Sequence, residues 1–90
     1  MNEIEFNDIT KKEIALLKNK IQYFEDKIKP YLKKMNNRTF TEEDIDKGAK
    51  IEQDLEDLRM TLNEIENHRK NTKYLSYWYT YVLKKHGIIK

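Results

Sequence analysis

Ninety residues suffice for one small domain with a thin core, and apolar and charged residues each make up 38% of the chain. Two Gly and one Pro leave few turns for a sheet-rich fold, and with no Cys there are no disulfides, thiol nucleophiles or cysteine-based zinc sites. A formal net charge of +2 is small for a dedicated polyanion binder.

The first residues, MNEIEFNDITKKE, lack the apolar stretch of a signal peptide, and no run approaches the length needed to span a bilayer. A cytoplasmic protein is the expectation. Lys outnumbers Arg 15 to 3, and Asn and Ile are frequent. That bias is typical of AT-rich coding and hints at a low-GC bacterium, its phages or a similar genome as the source.

Ile14, Leu17, Ile21, Phe24, Ile28, Tyr31 and Met35 follow one another at steps of three and four. This spacing predicts one apolar seam on a first helix over 10–35, roughly 39 Å long at 1.5 Å per residue. Asp8 or Thr10 is a candidate N-cap, and Glu13 completes a capping box with Thr10. Pro30 removes a backbone donor and is expected to kink the last turns or end the helix early.

The segment 36–41, NNRTFT, has no periodicity and reads as a loop. Thr41 and Asp44 then open a second helix over 42–70, with Glu42 and Glu43 where the helix dipole favours negative charge. Its seam runs Ile51, Leu55, Leu58, Leu62 and Ile65, extended upstream by Ile45 and Ala49. Gly48 is read as a close approach to the first helix. Two seams of similar length joined by a short loop predict an antiparallel coiled-coil hairpin. Residues 1–40 carry nine Lys/Arg against six Asp/Glu, and residues 41–66 carry three against ten, so the two helices attract.

Residues 68–90 carry six Lys/Arg and no acid. A third helix is predicted over 72–86, with Gly87 as a left-handed cap and Ile88 folding back on Leu83. Only Asn71 and Thr72 weaken the join to the second helix, so one rod over 42–86 stands as the alternative. The whole chain reads as one all-α domain over 1–90, a hairpin plus a short helix in a three-helix bundle. In the stretch TKYLSYWYTYVLKKH, a helix places Tyr74, Leu75, Trp78, Tyr81, Val82 and Lys85 on one face. That face is expected to close the hairpin, with Tyr77 and Tyr79 presented outward.

Catalytic candidates are lacking. Glu64 and His68 lie four apart, but two ligands do not make a metal site. The carboxylate pairs Glu42/Glu43 and Glu56/Asp57 are expected to lie in solvated charge, and there is no Gly-rich phosphate loop. EQDLE at 52–56 matches the Ser-Gln-x-Leu-Asp motif of small sporulation-regulating phosphatases only at Gln53 and Leu55. Glu52 and Glu56 replace its Ser and Asp, so that activity is not carried over.

The sequence therefore points to a non-catalytic binding module without metal or cofactor. The residues expected to contact a partner are Arg69, Lys73, Tyr77, Tyr79, Lys84 and Lys85, with Trp78 as anchor or core. The expected partner is a larger protein with an acidic or hydrophobic groove. Small Lys-rich single-domain proteins are common among mobile-element products that block host enzymes, so a phage-type inhibitor of a nucleic-acid enzyme is the specific form. Two alternatives stay open: a nucleic-acid accessory protein using the Lys and Tyr of 68–90, and a homodimer or other structural homo-oligomer. Scarce Arg speaks against the first, and the polar tyrosines speak against a membrane-surface helix.

Overall fold

Both long helices begin where a Thr and an acid three residues later exchange hydrogen bonds with each other's backbone. The Thr10 amide donates to Glu13 Oε1 at 2.9 Å and the Glu13 amide donates to Thr10 Oγ1 at 3.1 Å. Thr41 and Asp44 repeat the arrangement at 3.0 and 3.2 Å. Each box satisfies two amides that the first helical turn leaves without partners.

The computed structural model describes residues 4–68 and 73–89. A short 3-10 turn at Phe6–Asp8 precedes α1 (Lys11–Asn36), α2 (Glu42–Asn67) and α3 (Tyr77–Lys85). The molecule is an all-α bundle in which α1 and α2 pack as a hairpin and α3 lies against it. Its extents are 48 × 23 × 23 Å, the length being set by the two long helices.

The apolar stripes form the core as the heptads require. Leu17, Ile21, Phe24 and Ile28 of α1 are buried with Ile51, Leu55, Leu58 and Ile65 of α2. Leu17 and Leu58 have no exposed surface at all. Burying one such side chain stabilises by roughly 1.5–3 kcal/mol. The antiparallel register is visible in charge: Lys18 meets Glu66 at 3.5 Å, and Glu25, one heptad on, meets Arg59, one heptad back, at 3.2 Å. Lys34 and Asp44 close the loop end at 3.2 Å. These pairs are exposed and each contributes under about 1 kcal/mol, so they select register more than they add stability.

Several expectations change. α1 does not stop at Pro30 but continues to Asn36, because the ring sits on the exposed side and only one backbone bond is forfeited. The seam residue Met35 is exposed, since the core thins towards the loop. The helix ends in Arg38 at φ 56°, with the Thr39 amide bonded to the Lys34 carbonyl at 2.9 Å and the Arg38 amide to Met35 at 3.2 Å. This is a Schellman closure built on a residue with a Cβ, which strains the left-handed position that Gly normally fills.

α2 ends at Asn67, because His68 is extended at φ −63° and ψ 149°. The predicted extension of the second helix to 70 and the start of the third at 72 involve residues 69–72, which lie outside the described residues. Residues 73–76 are not helical, so the single rod over 42–86 is overturned and α3 begins at Tyr77. The physical reason is a tertiary pairing. The Leu75 amide donates to the Ile4 carbonyl at 2.8 Å, and the Phe6 amide to the Lys73 carbonyl at 3.0 Å. Glu5 and Tyr74 thus form an antiparallel bridge that a helix could not make. Leu75 and Phe6 are both buried beside it.

Gly48 does approach α1: a Cβ there would lie 3.5 Å from Tyr31 Cβ, an ordinary contact distance. Gly48→Ala therefore fits, and removing the helix penalty of Gly should stabilise by about 0.5–1 kcal/mol. Arg38→Gly should do the same by relieving the left-handed strain. Urea unfolding followed by circular dichroism reads both; an unchanged or lower midpoint for either variant would contradict the local geometry described.

Candidate interaction surface

α3 is held at both ends. Before it, the Glu5–Tyr74 bridge fixes the chain, and Phe6 stacks on the His68 ring at 4.0 Å and 5°. After it, Gly87 takes φ 74°, the Ile88 amide bonds the Leu83 carbonyl at 2.9 Å and the Gly87 amide bonds Lys84 at 3.1 Å. This is the predicted left-handed cap, and Ile88 is buried as expected.

The inner face of α3 consists of Thr80, Val82 and Leu83, all buried, with Tyr79 packed partly buried against the core. The outer face carries Tyr77, Trp78 and Tyr81, which are 56%, 47% and 54% exposed. The Trp78 and Tyr81 rings lie 5.8 Å apart, tilted by 32°. Tyr74, also exposed, adjoins this set in sequence, with Lys73 Nζ 5.5 Å above its ring. Lys84 and Lys85, exposed in the last turn, follow Tyr77 and Tyr81 at helical spacings.

The predicted face was rotated. Tyr79 faces the core instead of solvent and Tyr81 faces solvent instead of the core, while Trp78, expected as anchor or core, is exposed. The difference arises at Leu75, which precedes the helix and does not share its phase. Leu75 is buried from an extended segment, so the buried helical residues are Thr80, Val82 and Leu83, flanked by partly buried Tyr79 and followed by the His86 cap. The aliphatic pair Val82–Leu83 was the available signal, since apolar side chains without hydroxyls take the interior first.

Of the other predicted contact residues, Arg69 lies outside the described residues. Lys73 is exposed and pairs with Glu5 at 3.2 Å, and this partner raises its pKa. Lys84 is exposed. Lys85 reaches Asp54 of α2 at 3.5 Å, an intramolecular tether that spacing alone could not reveal.

Two features went unseen in the sequence. Asp57, expected in solvent, is buried on α2 and accepts a hydrogen bond from Gln53 Nε2 at 2.9 Å. His86 also turns inward. Its side chain is 7% exposed, and its ring meets Phe24 edge-on with centroids 5.6 Å apart. Its Nε2 is buried without a hydrogen-bond partner and stands 3.9 Å from Asp54 Oδ1, beyond hydrogen-bond range. Burial pushes the His86 pKa below its ordinary 6.5, helped by Lys85 and Lys20 and opposed by Asp54 and Asp57.

Among the described residues no cluster of three or more His, Cys, Asp or Glu could hold a metal ion, and no helix is long and apolar enough to cross a membrane. The fold and its exposed aromatic face thus define a small helical bundle with one unusual surface. Comparison of the chain with protein-family models, curated proteins and solved structures finds no match.

The His86 geometry sets a pH dependence. The folded state holds the imidazole neutral below 6.5, while the unfolded chain protonates there, so the unfolded state binds more protons. Stability should fall as pH drops through about 6.5 and level off below the depressed folded pKa. Urea midpoints measured from pH 7.5 to 5 should show this slope, and His86→Gln should flatten it. A slope equally steep in the variant would locate the titrating group elsewhere.

Proposed function

We propose that this chain is a non-catalytic protein-binding module whose contact surface is the outer face of α3. The observation that supports it is the side-by-side exposure of Tyr77, Trp78 and Tyr81 on a helix with no acidic residue. Trp and Tyr offer large contact areas with few rotors to freeze, which is why they dominate interface hot spots. Trp78 is the anchor, with Tyr81 and Tyr77 beside it and Lys84 at the rim. Of the residues first assigned to the contact, Tyr79 belongs to the core side and Lys85 is shared with Asp54. Tyr74 and Tyr81 take their place.

The partner on this reading is a larger protein presenting an apolar groove with acidic borders. Blocking of a nucleic-acid enzyme by a small mobile-element product is the form that the Lys-rich composition and single small domain suggest. A second reading, base stacking on the same aromatic rings with Lys holding phosphates, draws on Lys84 and Lys85 lying next to them. Against it, Lys73 and Lys85 each already face a carboxylate.

Both readings meet in one set of measurements. Trp78→Ala and Tyr81→Ala remove outward side chains, so helicity and the unfolding midpoint should change little. Affinity for a partner captured by the wild-type chain should fall by about tenfold or more per substitution. Capture unaffected by both changes would show that this face is not the interface. A gel shift with DNA or RNA that weakens steeply with salt would favour the nucleic-acid reading. A doubled mass in light scattering that Trp78→Ala reduces to the monomer would make the partner a second copy.

A further inference from the structure

α3 is only nine residues long and covers part of one side of the hairpin. Beyond its C-terminal end, the same side carries a groove of about 230 Å³ between α1 and α2. Its walls are Lys27 of α1 and Lys47 and Lys50 of α2, and Phe24, Tyr31 and Ile51 also line it. Asp54 is its one carboxylate, and Lys85 Nζ stands 3.5 Å from it. The groove therefore begins where the aromatic and lysine face of α3 ends.

The charge of this groove runs against the element that supplies most of it. Residues 41–66 carry three Lys/Arg against ten Asp/Glu, yet two of those three bases, Lys47 and Lys50, line this one groove. Lys27, Lys50 and Lys84 form no ion pair among the described residues. Lys47 is held by Glu43 at 2.7 Å. Lys27 Nζ lies 5.6 and 5.9 Å from the Tyr23 and Phe24 rings, which keeps its stem against the groove.

We infer that the interface continues from the aromatic face of α3 into this groove, and that the groove takes the carboxylates of an acidic segment on the protein partner. The inference rests on α3 being the contact face and adds the chemistry of what must lie beside it. A partner segment with apolar side chains for Trp78 and Tyr81, followed by a few Asp or Glu, matches the order of surfaces along the molecule. A long polyanion matches poorly. No Arg lines the groove to hold phosphates bidentately, and Lys47 is already held by Glu43.

The test uses the full chain, isotope-labelled, in an NMR titration with three probes at low salt. The first is a short peptide with Leu and Phe followed by a run of Glu; the second replaces Glu by Gln; the third is an oligothymidylate. The first peptide should move the amide signals of α3 and of Lys27, Lys47 and Lys50 together. The Gln peptide should move those of α3 alone. Lys27→Glu combined with Lys50→Glu, both at exposed positions, should weaken the acidic peptide about tenfold with helicity unchanged. If the acidic peptide moves α3 but not the groove, or the double variant binds it as well as wild type, the groove is not part of the interface and the aromatic face stands alone. If neither peptide moves α3, the underlying reading fails. If the oligothymidylate moves the groove signals at lower concentration than the acidic peptide, the groove is a phosphate site and the inference is overturned.

Discussion

The apolar seam between α1 and α2, with Leu17 and Leu58 completely removed from solvent, is the wall on which every other element leans. A helix of nine residues does not persist alone in water, because nucleation is costly and few bonds repay it. α3 exists because Val82 and Leu83 find the hairpin already assembled. The N-terminal segment depends on it likewise, since Phe6 reaches its buried place only by packing against the same core. Among the described residues thirteen apolar side chains are buried, so little could be removed without unsettling all three helices.

The seam also explains the division of α3 into two chemistries. Its inner side is led by the aliphatic Val82 and Leu83, and the hydroxyl of buried Thr80 is satisfied by the Ser76 carbonyl at 3.1 Å. Its outer side is left with aromatic rings bearing hydroxyls or an indole N–H, groups that tolerate water at one end and apolar contact at the other. The tethers at both ends, the Glu5–Tyr74 bridge and the Gly87–Ile88 turn, hold that outer side in a fixed orientation. Pre-ordering of this kind lowers the entropy lost on binding. His86 belongs to the same device: its ring plugs the junction between the last turn of α3 and Phe24, at the cost of one unpartnered nitrogen.

Electrostatics divides the molecule along a different line. α1 is basic and α2 acidic, and their exposed pairs fix which way the helices run. Where those charges are spent on one another the surface is neutral, as at Lys18–Glu66 and Glu25–Arg59. On the side that α3 only partly covers, lysines from all three helices gather faster than carboxylates do. Net charge of +2 hides this local imbalance, which arises from folding and not from composition.

Much of the architecture could be read from residue order alone. Heptad spacing, two Thr-initiated capping boxes and Gly87 are local signals, and each reports on backbone geometry within one or two turns. They determined the two long helices, their antiparallel pairing and the cap of α3. The start of α3 was not legible, because Lys73–Leu75 takes its conformation from hydrogen bonds to Ile4 and Phe6, some seventy positions away in the chain. The orientation of Tyr79, Trp78 and Tyr81 followed from that start, so it too was out of reach. Asp57 and His86 carry polar side chains that a sequence pattern assigns to solvent; only the packing of α3 over that side of the hairpin buries them. Periodicity determines which residues share a face, but only the tertiary contacts decide which face is covered.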